Sequence, residues 1–288
     1  MNPASSGAIE EIVARCLVDP AFLDSVRADP DSALAAYPLD AQARAAFRTA
    51  DLARLRQFSG FIGKIQHNFL WDSFPATRQL LRRHGIEHEV FAHYRRLQLA
   101  PGSRAAALPE KVRLFLSFLE GYLVEGGRHP SLQAVMRHER AVWEVRQAAA
   151  TRPQARASVR EVSFAGLPWR RFARLVPVIN GPLRIEAFDR DPVALTARVL
   201  EGRAETRARR GARLLVYWAD PATQQLRTLA VESLPALMLS LVDGARSVGA
   251  VVAATRRRTL ADAPPSAFRP FFEDSARTGL LCLMAKEA

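Results

Sequence analysis

The feature that most constrains the fold is a change in the spacing of apolar residues just after residue 150. From 51 to 150, apolar side chains recur every three or four residues, which predicts amphipathic helices packed as a bundle. Later in the chain apolar and polar residues alternate, as around Val162 and Phe164, which predicts strands. Residues 151–158 are small, polar and proline-containing, as is typical of a linker. We therefore expect an α+β protein, with an N-terminal helical bundle followed by an α+β domain over residues 159–288.

Residues 1–50 predict a short helical extension ahead of the bundle. Asp19-Pro20 and Asp29-Pro30 are typical helix starts, because aspartate caps a helix and proline fits its first turn. A chain of 288 residues is long enough for two domains of ordinary size, and its 49% of apolar residues can fill their cores.

Cysteine usage and hydropathy predict a cytoplasmic protein. Cys16 and Cys282 are too far apart for a CxxC motif, so they give neither a disulfide framework nor a zinc site. No stretch reaches about eighteen uninterrupted apolar residues, so we expect no membrane partner. The N-terminus lacks the basic start and apolar run of a secretory signal.

The formal net charge of +12 comes almost entirely from arginine. Such a charge is compatible with a solvated basic surface. It is equally compatible with an acidic partner, either nucleic acid or a negatively charged peptide or protein. Charge alone does not choose between these interpretations.

The histidines give only a weak indication of a metal site. His84 and His88 are four residues apart, with Glu89 and His93 nearby, but His84-Gly85 falls at a predicted helix end. The two histidines therefore need not share the helical face that a metal site requires. Glycine-rich phosphate loops, G-x-S-x-G elbows and H-E-x-x-H motifs are absent from the sequence. We expect neither catalytic activity nor a bound cofactor in this chain.

Two apolar segments, 175–179 and 183–188, flank the turn residues Asn180-Gly181-Pro182. Strand-like segments on either side of such a turn predict a β-hairpin.

The last part of the chain, about 213–284, predicts two strands, three helices and a final apolar segment. A helix-turn-helix core beside a β-hairpin is the simplest packing of that order, so we expect a winged-helix-like recognition element. In order, the predicted segments are 213–218, 226–231, 234–242, 248–254, 268–277 and 280–284.

The helical domain carries motifs of a known family. They include NFL at 68–70, FP at 74–75, PSL at 130–132 and ERA at 139–141. Over roughly 60–150 the chain resembles the helical "DNA-binding domain" family of unknown function. Members of that family are typically encoded beside multinuclear non-heme iron oxidases, which have TIM-barrel folds.

The end of the chain carries a second set of motifs, in 237–248 and 268–283. The most specific is DGARSV at 243–248, between two predicted helices. This part resembles the precursor recognition element of RiPP biosynthesis, a winged-helix-like domain that binds the leaders of ribosomally made peptides. As a whole, the chain is similar to the partner subunits of the oxidases in methanobactin-type and thiaglutamate-type pathways.

The resemblance implies a non-catalytic accessory subunit that forms a heterodimer with such an oxidase. It would bind the leader of a precursor peptide and present the core for modification, with the iron in the partner oxidase. The leader would add a strand to an open sheet edge, between a strand and the last helix, and its acidic residues would pair with arginines. The matching peptide-binding positions are Leu226, Arg227, Thr228, Leu229, Val231, Arg269, Phe272 and Arg277.

The helical domain is expected to dock the oxidase. Asn68, Trp71 and Asp72 lie just before Phe74-Pro75, where the chain is expected to change direction. Tryptophan commonly anchors interfaces. A capped and packed helix end explains the same residues equally well. The expected partner-docking residues are Asn68, Trp71, Asp72 and Tyr94.

A winged-helix transcription regulator that binds DNA is the alternative function. The predicted helix 248–254 offers no Asn, Gln or Arg to base edges in a groove. Arg256-Arg257-Arg258 follows it, and suits phosphates or an acidic peptide. We therefore rank nucleic acid below the leader peptide as a partner.

Overall fold

The fold is known from a computed structural model, which describes residues 3–55, 58, 71–87, 89–91, 94, 108–126, 129–151, 164–203, 210–221, 223–260 and 262–285. They form helices and antiparallel strands, as expected for the α+β class. The chain divides into two compact units, 1–129 and 130–288. The predicted linker lies outside the described residues except for Thr151, which ends a helix.

Two of the N-terminal helices begin at the predicted aspartate–proline steps. An Asp19 carboxylate oxygen accepts hydrogen bonds from the backbone N–H groups of Ala21 and Phe22, and Asp29 accepts one from Ser32. These caps satisfy N–H groups that have no partner inside the helix. The four helices are α1 Pro3–Val18, α2 Pro20–Ala28, α3 Pro30–Ala33 and α4 Ala41–Thr49.

Residues 1–50 enclose a hydrophobic core of their own. Burial raises the pKa of the Cys16 thiol to about 11, so the thiol stays protonated at neutral pH. The extension is therefore a packed helical cluster. Its buried residues are Ile12, Cys16, Phe22, Leu23, Val26, Leu34 and Phe47.

The rest of the first unit includes α5 Pro75–Arg83 and α6 Leu108–Gly126. Phe74 is fully buried just before α5, which starts at the predicted proline. Along α6 the buried residues follow the helical period, and they are Val112, Phe115, Leu116, Leu119 and Leu123.

The second unit combines helices with two antiparallel sheets. Over residues 213–284, its helices and strands follow the predicted order. They are α7 Pro130–Thr151, α8 Trp169–Phe172, β1 Val176–Ile179, β2 Leu183–Arg190, α9 Pro192–Leu200, β3 Arg210–Ala219, β4 Leu226–Val231, α10 Ser233–Ser240, α11 Val248–Thr259, a 3₁₀ turn Pro265–Phe268, α12 Arg269–Arg277 and β5 Leu281–Met284.

The sheet topology corrects the predicted hairpin around Asn180-Gly181-Pro182. Strand β1 pairs with β5, and β2 pairs with β3, so the segments that flank this turn lie in different sheets. Gly181 adopts a φ of +100°, which leads the chain out of one sheet and into the other. The backbone N–H of Asn180 donates to the carbonyl of Leu280, which ties the turn to the start of β5.

The three-stranded sheet has the order β2-β3-β4 and is covered on both faces. Cross-strand neighbours share a face, so the register assigns each side chain to one layer. On one face Tyr217 bonds His138 of α7. On the other, Val216 and Trp218 join the core formed with α10, α11 and α12.

Helix α7 belongs to the sheet unit, although its periodicity continues that of the helical bundle. It packs against β2, β3 and α9. The boundary between the compact units therefore falls at 129/130, about twenty residues before the position that the sequence suggests. A helical period shows that a segment is a helix, but it does not show which unit buries its apolar face.

Candidate functional site

Strand β4 forms one edge of the three-stranded sheet. In the described part of the chain, no strand pairs with its outer side. Two hydrogen bonds set the alternation of the backbone: Ala219 N–H donates to the carbonyl of Pro182, and Asp220 N–H donates to that of Gln225. Because N–H and C=O groups alternate in direction along an antiparallel strand, those of residues 226, 228 and 230 point away from β3. These backbone groups can pair with an added strand.

The side chains of β4 alternate between two environments. Arg227, Leu229 and Val231 stand opposite Trp218, Val216 and Leu214 of β3, on the sheet face that carries α12. Leu226 and Thr228, which are also expected peptide-binding residues, stand opposite Ala219 and Tyr217, on the face of α7. Only the odd-numbered side chains of β4 therefore lie on the same sheet face as α12.

A groove of about 330 Å³ lies between β4 and the C-terminal helices. Its lining is mostly apolar, and Leu229 keeps 39% of its surface exposed there. Asp274 is the single charged residue in the lining. The groove is lined by Val216, Leu229, Val231, Pro235, Leu239, Phe271, Asp274, Ser275, Thr278 and Leu280.

The structure corrects the assignment of Phe272 to peptide binding. Its side chain is completely buried in the core of the second unit, whereas the adjacent Phe271 is half-buried and lines the groove. Adjacent residues on a helix point about 100° apart, so only one of the two can face the groove. In the sequence, two neighbouring phenylalanines give no sign of which one faces the groove.

Arg269 is also placed away from the groove. Its guanidinium donates to the backbone carbonyls of Leu167 at 2.6 Å and Phe164 at 3.4 Å, and to Glu273 at 2.7 Å. It also lies 4.7 Å from the ring centre of Phe172. Arg269 therefore fastens α12 to the segment that precedes α8, and the assignment to peptide binding is corrected.

The other two arginines remain at the surface. Arg277 is 61% exposed and pairs with Asp274 at 2.8 Å and Glu273 at 3.4 Å on its own helix. Arg227 is 46% exposed, and its nearest carboxylate oxygen, on Asp220, is 4.0 Å away. The guanidinium of Arg227 lies 5.6 Å from the ring centre of Trp218, on the groove face of the sheet.

Two of the residues assigned to partner docking are packed inside the first unit. Trp71 is 3% exposed and contacts the rings of Phe91 and Phe115 edge-on. Tyr94 is 2% exposed, and its hydroxyl donates to the carbonyl of Lys111 at 3.2 Å. Neither offers a surface to a partner, so both assignments are corrected to core residues.

The other two residues of that set differ in their status. Asp72 is exposed on the helical turn before Phe74, and stays a candidate for docking. Asn68 lies outside the described residues.

The histidines do not form a ligand set where the structure describes them. The rings of His84 and His129 have centres 4.2 Å apart and planes tilted by 36°, while His88 and His93 lie outside the described residues. No group of three or more His, Cys, Asp or Glu side chains is arranged to hold a metal ion in the described ranges. Within those same ranges, no helix is both long and apolar enough to cross a membrane.

Among the described histidines, His138 is buried. Its Nδ1 lies 2.7 Å from the hydroxyl of Tyr217, between α7 and the sheet. Burial lowers the pKa of His138 to about 4, and it raises that of Tyr217. Both groups are therefore neutral at physiological pH and join two layers of the fold.

No protein-family model matches the chain, and no curated protein matches its sequence. The groove and the open edge of β4 are therefore interpreted from their own chemistry.

Proposed function

We propose that this chain is a non-catalytic accessory subunit in the cytoplasm that binds the leader of a ribosomally made precursor peptide. The leader lies along β4 and inserts apolar side chains into the groove walled by α12. In this proposal the C-terminal unit is a winged-helix-like precursor recognition element. It presents the core of the peptide to a partner multinuclear iron-dependent oxidase, which holds the iron and performs the oxidation.

The observation that carries the proposal is the position of the groove along an unpaired strand. An extended peptide needs backbone partners for affinity and pockets on alternate side chains for register. The outward backbone groups of residues 226, 228 and 230 supply the first. The apolar lining that includes Leu229 and Phe271 supplies the second. The resemblance of 237–248 and 268–283 to recognition elements supports the same occupant.

Substitution in the groove tests leader binding. We expect Leu229→Asp to weaken binding of the fluorescently labelled precursor peptide encoded beside this gene by about tenfold or more, because it places a charge among apolar side chains. Leu260→Asp is the matched control, since Leu260 is 88% exposed in a left-handed turn after α11 and lies outside the groove. Equal affinities for both variants, measured by anisotropy, would contradict the proposal.

Docking to the oxidase rests on the resemblance of the helical part of the chain, and it needs a separate test. Co-expression of this chain with the oxidase encoded beside it, followed by purification through one tag, should give a single complex. Separate elution of the two proteins would contradict the partnership and leave leader binding to be judged by its own titration.

Nucleic-acid binding is a second candidate, favoured by exposed arginines on and beside α8 and at the end of α11. Arg170, Arg171 and Arg174 are exposed, as are Arg257 and Arg258. Binding of a specific duplex that weakens steeply with salt would favour this function. Against it, the exposed residues of α11 before its arginines are Ala250 and Ala253, which carry no group that reads bases.

A further inference from the structure

We infer that the groove selects peptides in which two apolar side chains and one acidic side chain occupy alternate positions, with Arg227 recognising the acid. The pattern is apolar-x-apolar-x-acidic, or its reverse if the peptide runs in the other direction. The inference rests on the proposed function, because it specifies the peptide that the same groove takes.

The spacing follows from the register of β4. Residues 227, 229 and 231 point their side chains to the groove face, and their backbone groups point to β3. A peptide paired antiparallel with the outer edge of β4 therefore meets these three positions as non-hydrogen-bonded neighbours, where facing side chains come closest. Side chains on one face of a strand are two residues apart, so the peptide residues read by the groove are also two apart.

Two of the three positions are apolar. Leu229 and Val231 line the groove together with Phe271 of α12 and Leu239 of α10. Asp274 stands in the same lining, and its negative charge disfavours an acidic side chain at these positions. Apolar side chains of the peptide are therefore preferred opposite Leu229 and Val231.

The third position carries a positive charge. Arg227 is held over Trp218, and the only ion pair of its guanidinium among the described residues is the 4.0 Å contact with Asp220, at the outer limit for such a pair. The other two arginines once expected to meet acidic residues are engaged, Arg269 by backbone carbonyls and Arg277 by carboxylates of α12. An acidic side chain opposite Arg227 gains a charge-assisted hydrogen bond at the end of the groove.

A display selection tests this pattern with a defined probe. Phage that display seven random residues between flexible linkers are selected on the full chain, with depletion on the Leu229→Asp variant. We expect the recovered sequences to enrich an acidic residue two positions from one apolar residue and four from another. Enrichment of apolar residues without a fixed acidic position would overturn this inference and leave the proposed function standing. No enrichment over the Leu229→Asp variant would overturn both.

A charge exchange tests the role of Arg227 directly. A recovered peptide with aspartate at the acidic position should bind the wild type about fivefold more tightly than its lysine counterpart, the upper range for an exposed ion pair. Arg227→Glu should reverse that preference. The control Arg258→Glu makes the same charge change on α11, outside the groove, and should retain it. An unchanged preference in Arg227→Glu would overturn the inference.

Discussion

At the scale of single residues, identical side chains have different roles in this protein. Arg227 and Arg269 look equivalent in the sequence, as basic residues beside apolar ones. The structure places Arg269 among backbone carbonyls and leaves Arg227 exposed on the groove face of the sheet. The difference is set by contacts from residues about a hundred positions away, such as Leu167 for Arg269. No local pattern encodes such contacts.

Two neighbouring phenylalanines should separate stability from binding. Phe272→Ala is expected to lower the free energy of unfolding by about 3–5 kcal/mol, because it removes a fully buried aromatic ring. Phe271→Ala should cost clearly less stability, since that ring is half-buried, but should weaken peptide binding. Urea unfolding and peptide titration of both variants measure the two effects. Similar losses of stability in the two variants would contradict the assignment of Phe272 to the core and Phe271 to the groove.

The buried His138 predicts how stability depends on pH. Its pKa is about 4 in the folded protein, below the ordinary value of 6.5, so the unfolded chain binds a proton more readily. The stabilisation is complete above pH 6.5 and is lost as pH falls toward 4, by on the order of 2–3 kcal/mol. His138→Gln, which keeps a hydrogen-bonding group near Tyr217, should show a shallower loss. Parallel stability curves for the two proteins between pH 6.5 and 4 would contradict this account.

At the scale of elements, local sequence patterns predicted most helices and strands, but they did not predict which strands pair with each other. The predicted segment 226–231 is strand β4, and 268–277 contains α12. The prediction of a hairpin at Asn180-Gly181-Pro182 was wrong, because β1 pairs with β5 and β2 pairs with β3, which are both more distant in the sequence. Turn residues mark a change of direction, but they do not identify the strand that pairs next.

The groove itself was partly predictable. Its strand wall and its helix wall were both assigned from the sequence, as β4 and α12. The sequence did not show which side chains of α12 face the groove, because the rotation of a nine-residue helix about its axis is fixed by packing and not by composition. Two of the four docking residues were misplaced for a similar reason, since Trp71 and Tyr94 suit an interface and a core equally well.

Arg269 should hold one wall of the groove in place. Arg269→Ala removes three hydrogen bonds of a partly buried guanidinium, and is expected to lower the free energy of unfolding by about 1–3 kcal/mol. Faster hydrogen exchange should appear in 164–172 and in α12. Arg277→Ala, which removes only exposed pairs, should cost less than about 1 kcal/mol. Equal effects of the two changes would contradict the fastening role.

At the scale of the whole molecule, the boundary at 129/130 defines which part of the chain should fold independently. A fragment of residues 130–288 should fold cooperatively and bind the peptide, because it keeps α7 on the sheet. A fragment of residues 159–288 should not, because it exposes Tyr217, which is fully buried in the complete unit. Circular dichroism and thermal unfolding distinguish them. A stable 159–288 fragment would contradict the structural boundary.

The central claim is that an extended peptide adds a strand to β4, and one position tests it most directly. The N–H of Thr228 points away from β3, so proline there leaves the ladder to β3 intact but removes a donor from the open edge. Binding of the labelled precursor peptide is measured for Thr228→Pro and for Thr228→Val, which keeps the N–H. We predict a loss of about tenfold or more for proline and near wild-type affinity for valine. Equal affinities, with both variants folded, would contradict strand addition at this edge.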